Sequence, residues 1–129
     1  MRTLTLHICL AAMTLPGVAL AGDKTVTWTG WFADMKCASA HAAAGTFGPT
    51  NPECSKTCIQ QGTAPVFISE QAKAIFPVKG GGSVIENLGY HIEVTGTVDT
   101  AANTIVIRNL KTLAYEGAAC SRPKKAAQK

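Results

Sequence analysis

The chain has 129 residues, of which 47% are hydrophobic and 16% charged, and it carries five cysteines and a formal charge of +4. This length suits one domain of ordinary size. The apolar content is too high for a disordered chain, and no repeat suggests a fibrous protein.

The N-terminus has the three parts of a secretory signal peptide. Arg2 supplies the positive start, residues 8–15 form an almost uninterrupted apolar run, and Ala19-Leu20-Ala21 is a small-x-small cleavage motif. The apolar run ends at Pro16, which makes it too short for a membrane anchor. We therefore expect residues 1–21 to be a cleaved signal peptide, no later transmembrane span, and a periplasmic or secreted protein.

The first half of the remaining chain predicts one strand and two short helices. Residues 25–33 alternate with period two, as in a half-buried strand, and Gly30 is expected to form a bulge or a bend in it. A helix over 34–44 begins at Asp34, a suitable N-cap, and a second helix over 52–61 begins after Asn51. Both predicted helices carry cysteines.

The second half predicts β structure. Residues 66–68 and 74–76 are predicted as two short strands of a hairpin. Three glycines at 80–82 then interrupt the strand pattern, and residues 83–88 suit one helical turn. The clearest alternation covers 90–98, followed by strands over 104–110 and 112–115. Five or six short strands with one or two small helices predict a mainly β fold, a small OB-like Greek-key barrel over residues 22–120.

The last nine residues, 121–129, predict a basic, flexible tail without a large apolar side chain. The tail holds much of the positive charge, on Arg122, Lys124, Lys125 and Lys129. The domain itself is therefore nearly neutral. The tail suits at most a weak contact with anionic surfaces, and the expected compartment argues against nucleic acid as a partner.

Glycine, cysteine and aliphatic residues at fixed spacings resemble those of small secreted bacterial OB-fold-like domains of unknown function. The shared pattern runs through Gly30-x3-Asp34-x2-Cys37, Cys54-x3-Cys58-x3-Gly62, Gly89-x2-Ile92-x-Val94-x-Gly96 and Thr104-Ile105-x-Ile107. The resemblance covers the chain from about Gly30 to Leu110. It implies a fold and an extracytoplasmic setting, and it implies no activity.

Removal of the signal peptide leaves four cysteines, Cys37, Cys54, Cys58 and Cys120. In an oxidising compartment an even number favours two disulfides, and four cysteines allow three pairings. The favoured interpretation pairs Cys37 with Cys54 or Cys58, and the remaining cysteine with Cys120. A bridge between Cys54 and Cys58 within one helical turn is the least favourable choice.

Helical spacing also supports a metal site as the alternative. Cys37 and His41 are four residues apart on one predicted helix, and Cys54 and Cys58 are four apart on the other, so each pair shares a helix face. If the two helices pack together, three sulfurs and one imidazole form a ligand set for zinc or copper. In the disulfide interpretation no cofactor is required.

Three side chains are candidates for a ligand surface. His91 and Glu93 lie on the polar face of one predicted strand. Trp31 lies on the opposite face of the first strand from Trp28, where it is either an exposed ligand contact or a covered residue. Asp34 is better explained as a helix cap than as an acid, and no serine lies in a nucleophile-elbow sequence. The sequence therefore predicts a non-enzymatic domain that binds a small molecule, glycan or polypeptide, with metal binding as the alternative.

Overall fold

The computed structural model describes residues 23–79 and 83–117, which form five strands, two α-helices and one short 3-10 helix. The predicted signal peptide, the triple-glycine break, Cys120 and the basic tail lie outside the described residues. The elements are, in order, β1 Lys24–Asp34, α1 Met35–Ala43, α2 Pro52–Gln60, β2 Pro65–Ser69, β3 Ala74–Lys79, the 3-10 helix Ile85–Asn87, β4 Tyr90–Asp99 and β5 Thr104–Tyr115.

The strands form one mixed sheet whose pairings close into a ring in the order β1-β2-β3-β5-β4. Every pairing is antiparallel except that of β3 with β5, which joins Val78 to Ile105 and Lys79 to Val106. The prediction of a mainly β fold with two short cysteine-bearing helices is confirmed.

The segment over 104–115 differs from the prediction of two separate strands, 104–110 and 112–115. β5 is one strand of 12 residues that pairs with β4 along its whole length. Register shifts occur between His91 and Ile92 and between Thr95 and Gly96, so the pairing continues through these irregularities. The described residues therefore hold five strands and no sixth.

Both helices begin at the predicted caps. The Asp34 side chain accepts a hydrogen bond from the backbone N–H of Cys37, and that of Asn51 accepts one from the N–H of Cys54. Pro52 occupies the first helical position, where its missing N–H costs nothing. The sequence signals for helix starts are thus confirmed at both helices.

Apolar side chains are buried on both sides of the sheet. Inside the ring, the residues of the main core come from the strands and from the segment around the 3-10 helix: Val26, Phe32, Phe67, Phe76, Val84, Leu88, Ile92, Val94, Val98 and Ile105. Outside the ring, a smaller cluster of Ala33, Ala38, Val66 and Ile68 packs α1 against β1 and β2. The C-terminal end of β1 is therefore buried on both faces.

Gly30 lies where β1 changes partners. The residues before it pair with β4 and those after it pair with β2, and Gly30 itself aligns with both Ile92 and Ser69. A Cβ atom at this position would overlap the carbonyl oxygen of Ile68. At the position where the sequence predicts a bulge or a bend, the structure has a close backbone approach that only glycine permits.

No helix within residues 23–79 and 83–117 combines the length and apolar character that crossing a membrane requires.

We expect Gly30→Ala to lower the free energy of unfolding by roughly 3 kcal/mol, because the new methyl group displaces the backbone of β2. Urea denaturation measures this change. Gly48→Ala is the matched control, since a Cβ there meets no atom within 4 Å, and it should change stability by less than about 0.5 kcal/mol. Equal effects of the two substitutions would contradict the role given to Gly30.

Candidate functional site

Three metal-binding side chains converge where β1 passes into α1. A carboxylate oxygen of Asp34 and the Sγ atoms of Cys37 and Cys58 all lie within 4.8 Å of one another. Asp34 is the last residue of β1, Cys37 is in the first turn of α1, and Cys58 is in α2. We call these three residues the thiol cluster.

The local sequence determines how the cluster is assembled. Asp34 is held by the sheet through its pairing with Pro65, and Met35 donates a backbone hydrogen bond of 2.9 Å to Ala64. Because α1 follows β1 without a loop, the strand end also positions Cys37, whose N–H donates to Asp34 Oδ2 at 2.9 Å. The packing of α2 against β1 brings in Cys58.

The carboxylate of Asp34 is buried and only partly satisfied. The residue is 0% exposed, and its Oδ1 atom has no hydrogen-bond partner. Its neighbour Ser55 is equally buried, and the Ser55 hydroxyl shares a hydrogen bond of 3.1 Å with the Thr50 hydroxyl. A buried oxygen without a partner costs free energy, so a cation beside Oδ1 would be stabilising.

Electrostatics favour a carboxylate next to a protonated thiol. Burial raises the pKa of Asp34, but the hydrogen bond from the Cys37 backbone N–H and the nearby Cys37 thiol and Ser55 hydroxyl outweigh it, so the pKa lies below its ordinary value. Neither the thiol nor the hydroxyl forms a hydrogen bond with Oδ1.

The Cys37 thiol shifts in the opposite direction. Burial, the adjacent Asp34 carboxylate and the charges of Cys58 and Cys54 raise the pKa of Cys37 from 9.0 to about 12. The residues around Cys37 thus favour its neutral form when no cation is present.

The other two predicted metal ligands lie outside the thiol cluster. Cys54 is exposed, one helical turn before Cys58, and both cysteines line an open groove along α2. His41 is half-buried on α1, and its Nδ1 atom is buried without a hydrogen-bond partner. Asp34, which the sequence explained only as a cap, takes the place beside the sulfurs that the prediction gave to His41.

The disulfides expected among Cys37, Cys54 and Cys58 are not formed, since all three are free thiols. A disulfide joins two sulfurs at about 2.05 Å, and no two of these three cysteines are joined. Cys54 and Cys58 project from successive turns of one helix, where a bridge is strained. The predicted pairing with Cys120 involves a residue outside the described part of the chain.

The candidate ligand surface forms a different arrangement on the outer face of the sheet. Trp31 is 6% exposed, and its indole stacks on the His91 ring with 4.8 Å between the ring centroids. His91 Nε2 lies 2.8 Å from Glu70 Oε2, and Trp31 Nε1 donates to Glu116 Oε2 at 3.3 Å. Trp31 is therefore covered by its neighbours, which is the second of the two alternatives left by the sequence.

We call Trp31, His91, Glu70 and Glu116 the stacked group, and Glu93 takes no part in it. It aligns with Thr29 on β1 and with Lys111 on β5, next to the group on the same face. The sequence does not identify Glu70 and Glu116 as members of this group, because both residues follow strand ends, where no periodicity indicates which way a side chain points. The pKa of Glu70 lies below its ordinary value, chiefly because the Thr29 hydroxyl donates a hydrogen bond to it.

Comparison with known proteins provides no relative whose role can be transferred. No protein-family model, no curated protein and no solved structure matches the chain.

The raised pKa of Cys37 predicts a loss of stability in alkaline solution. The folded-state pKa of about 12 exceeds the ordinary 9.0, so this contribution to stability is complete below pH 9 and is lost as the pH rises toward 12. We expect the unfolding free energy of the reduced, metal-free protein to fall more steeply above pH 9 than that of Cys37→Ser. Urea denaturation at pH 8 and pH 10.5 tests this, and parallel pH profiles for the two proteins would contradict it.

Proposed function

We propose that the protein binds a zinc ion through Asp34, Cys37 and Cys58. The observation that carries the proposal is the completely buried Asp34 carboxylate, whose unpaired oxygen belongs to the same side chain that approaches two free thiols within 4.8 Å. An ion at this position would supply the missing partner of Oδ1 and neutralise the charges that oppose ionisation of Cys37.

The dimensions of the cluster suit zinc. Zinc binds thiolate sulfur at about 2.3 Å and carboxylate oxygen at about 2.0–2.2 Å in a tetrahedron, which puts neighbouring ligand atoms roughly 3.5–3.8 Å apart. The widest separation in the cluster is at most 4.8 Å. Zinc binding would therefore draw neighbouring ligand atoms together by at most about 1 Å.

The mixture of donor atoms selects the metal. Thiolates favour zinc and copper(I) over calcium and magnesium, whereas a carboxylate suits a harder ion than copper(I). Two sulfurs with one oxygen therefore favour zinc over copper. Three protein ligands also leave a fourth position for water or an incoming ligand.

The proposal also includes an OB-like fold and a periplasmic or secreted location for the protein. The ring order β1-β2-β3-β5-β4, with β3 and β5 parallel, supports an OB-like Greek-key barrel. The predicted signal peptide over residues 1–21 supports a periplasmic or secreted protein. In an oxidising compartment, bound zinc would protect Cys37 and Cys58 from being joined in a disulfide.

Zinc binding is better supported than ligand binding by Trp31, His91 and Glu93. The Trp31 indole, which would provide most of the apolar contact, is covered by His91 and hydrogen-bonded to Glu116. The polar atoms of this group are already engaged with one another. The thiol cluster, by contrast, contains an unpaired buried oxygen.

Zinc titration of the reduced, metal-free protein against a chromophoric chelator tests the proposal. We expect one zinc per chain, and we expect Cys37→Ser and Cys58→Ser to weaken zinc affinity by at least about 100-fold, since even residues behind the ligands are worth about 10–100-fold. Asp34→Asn keeps an effective N-cap but removes the anionic ligand, and should weaken affinity by at least about tenfold.

Asp99→Asn is the matched control. It makes the same chemical change at the turn between β4 and β5, where Asp99 Oδ1 accepts backbone hydrogen bonds from Ala101 and Ala102. Its zinc affinity should equal that of the wild type. Circular dichroism confirms that each variant is folded. Absence of zinc binding by the reduced wild type, or equal affinity in every variant, would refute the proposal.

A further inference from the structure

Cys54 lies at the entrance to the proposed zinc site. An open groove of about 350 Å³ runs along α2, lined by Asn51, Glu53, Cys54, Thr57 and Cys58; we call it the α2 groove. Cys58 belongs both to this groove and to the thiol cluster. The groove is therefore a solvent-facing approach to the cluster, and Cys54 is the exposed thiol along it.

The two groove thiols are neighbours on one face of α2. Cys54 and Cys58 are four residues apart in α2, which places them on the same face about 6 Å apart along the helix axis. Asn51 caps the helix by accepting from the Cys54 N–H at 2.9 Å, so the backbone carrying Cys54 is held in place. The Cys54 side chain remains at the surface, outside the three-residue cluster.

We infer that Cys54 is a relay thiol through which the bound zinc is exchanged with a thiol-bearing metal carrier in the α2 groove. This inference rests on the proposed zinc site. A purely structural zinc site is closed by four protein ligands, whereas the thiol cluster supplies three and the next thiol faces solvent. The partner it fits is a donor or acceptor with at least one free thiol.

The exchange is a series of ligand substitutions without oxidation or reduction. The Cys54 thiol releases its proton to solvent, and its thiolate forms a bond to zinc as a zinc-bound water leaves. A thiolate of the carrier, whose proton also goes to solvent, then bonds to zinc as the bond to Cys58 breaks, and further carrier ligands or water replace Cys37, Asp34 and finally Cys54 in the same way. Each protein thiolate that leaves the zinc takes up one proton from solvent, and zinc remains divalent throughout.

Zinc transfer to dithiothreitol tests the relay. The zinc-loaded wild type, Cys54→Ser and Gln60→Ala are mixed with excess dithiothreitol, and the zinc that remains on the protein is measured after rapid desalting at successive times. Gln60 is exposed on α2 outside the groove lining, so its variant controls for a change in the helix surface. Equilibrium zinc affinity is measured for all three proteins in parallel.

We expect Cys54→Ser to slow the transfer by about tenfold while its equilibrium affinity stays within about threefold of the wild type, and Gln60→Ala to change neither. Equal transfer rates for wild type and Cys54→Ser would overturn the relay and leave the zinc site standing. A loss of affinity greater than about tenfold in Cys54→Ser would also overturn it, because Cys54 would then be a permanent ligand. Failure of the wild type to bind zinc would refute both the relay and the proposed function.

Discussion

The close approach of β1 to the carbonyl oxygen of Ile68 at Gly30 is the constraint on which the rest of the fold depends. Because no side chain stands in the way, one strand pairs with β4 before this point and with β2 after it. That change of partner links the two halves of the sheet and closes the ring. It also directs the last residues of β1 beneath the helices, where both faces of the strand are buried.

Asp34 stands at the end of this strand, and its two carboxylate oxygens have different surroundings. Oδ2 caps α1, whereas Oδ1 is buried without a hydrogen bond, and the same carboxylate approaches two thiols. Asparagine would cap the helix equally well, so capping alone does not require a charged residue. A local cost to stability of this kind is typical of a functional site, where the missing partner is supplied by a ligand.

Much of the fold could be predicted because it follows from local signals. Asp34 and Asn51 cap the two helices as expected, and the alternation from Tyr90 onward forms a strand with one apolar face. The sequence predicts a division at Lys111, between strands over 104–110 and 112–115, but Lys111 pairs with Glu93 and β5 continues through it. The local periodicity of a segment does not indicate which strand it pairs with or how far that pairing extends.

The site could be predicted only in part for the same reason. The spacing of Cys37 and His41 shows that they share a face of α1, but it does not show how that face turns toward the sheet and α2. The packing brings Asp34 to the sulfurs and leaves His41 outside the group. Likewise, the position of Trp31 on the polar side of β1 gave no sign that His91 and Glu116 would cover it.

Zinc K-edge X-ray absorption of the reduced, zinc-loaded protein tests the central claim most directly, because it reports the atoms bound to the metal. A site made by Asp34, Cys37 and Cys58 predicts two sulfur neighbours at about 2.3 Å together with oxygen neighbours near 2.0 Å. A first shell of oxygen and nitrogen alone, or one of four sulfurs, would contradict it.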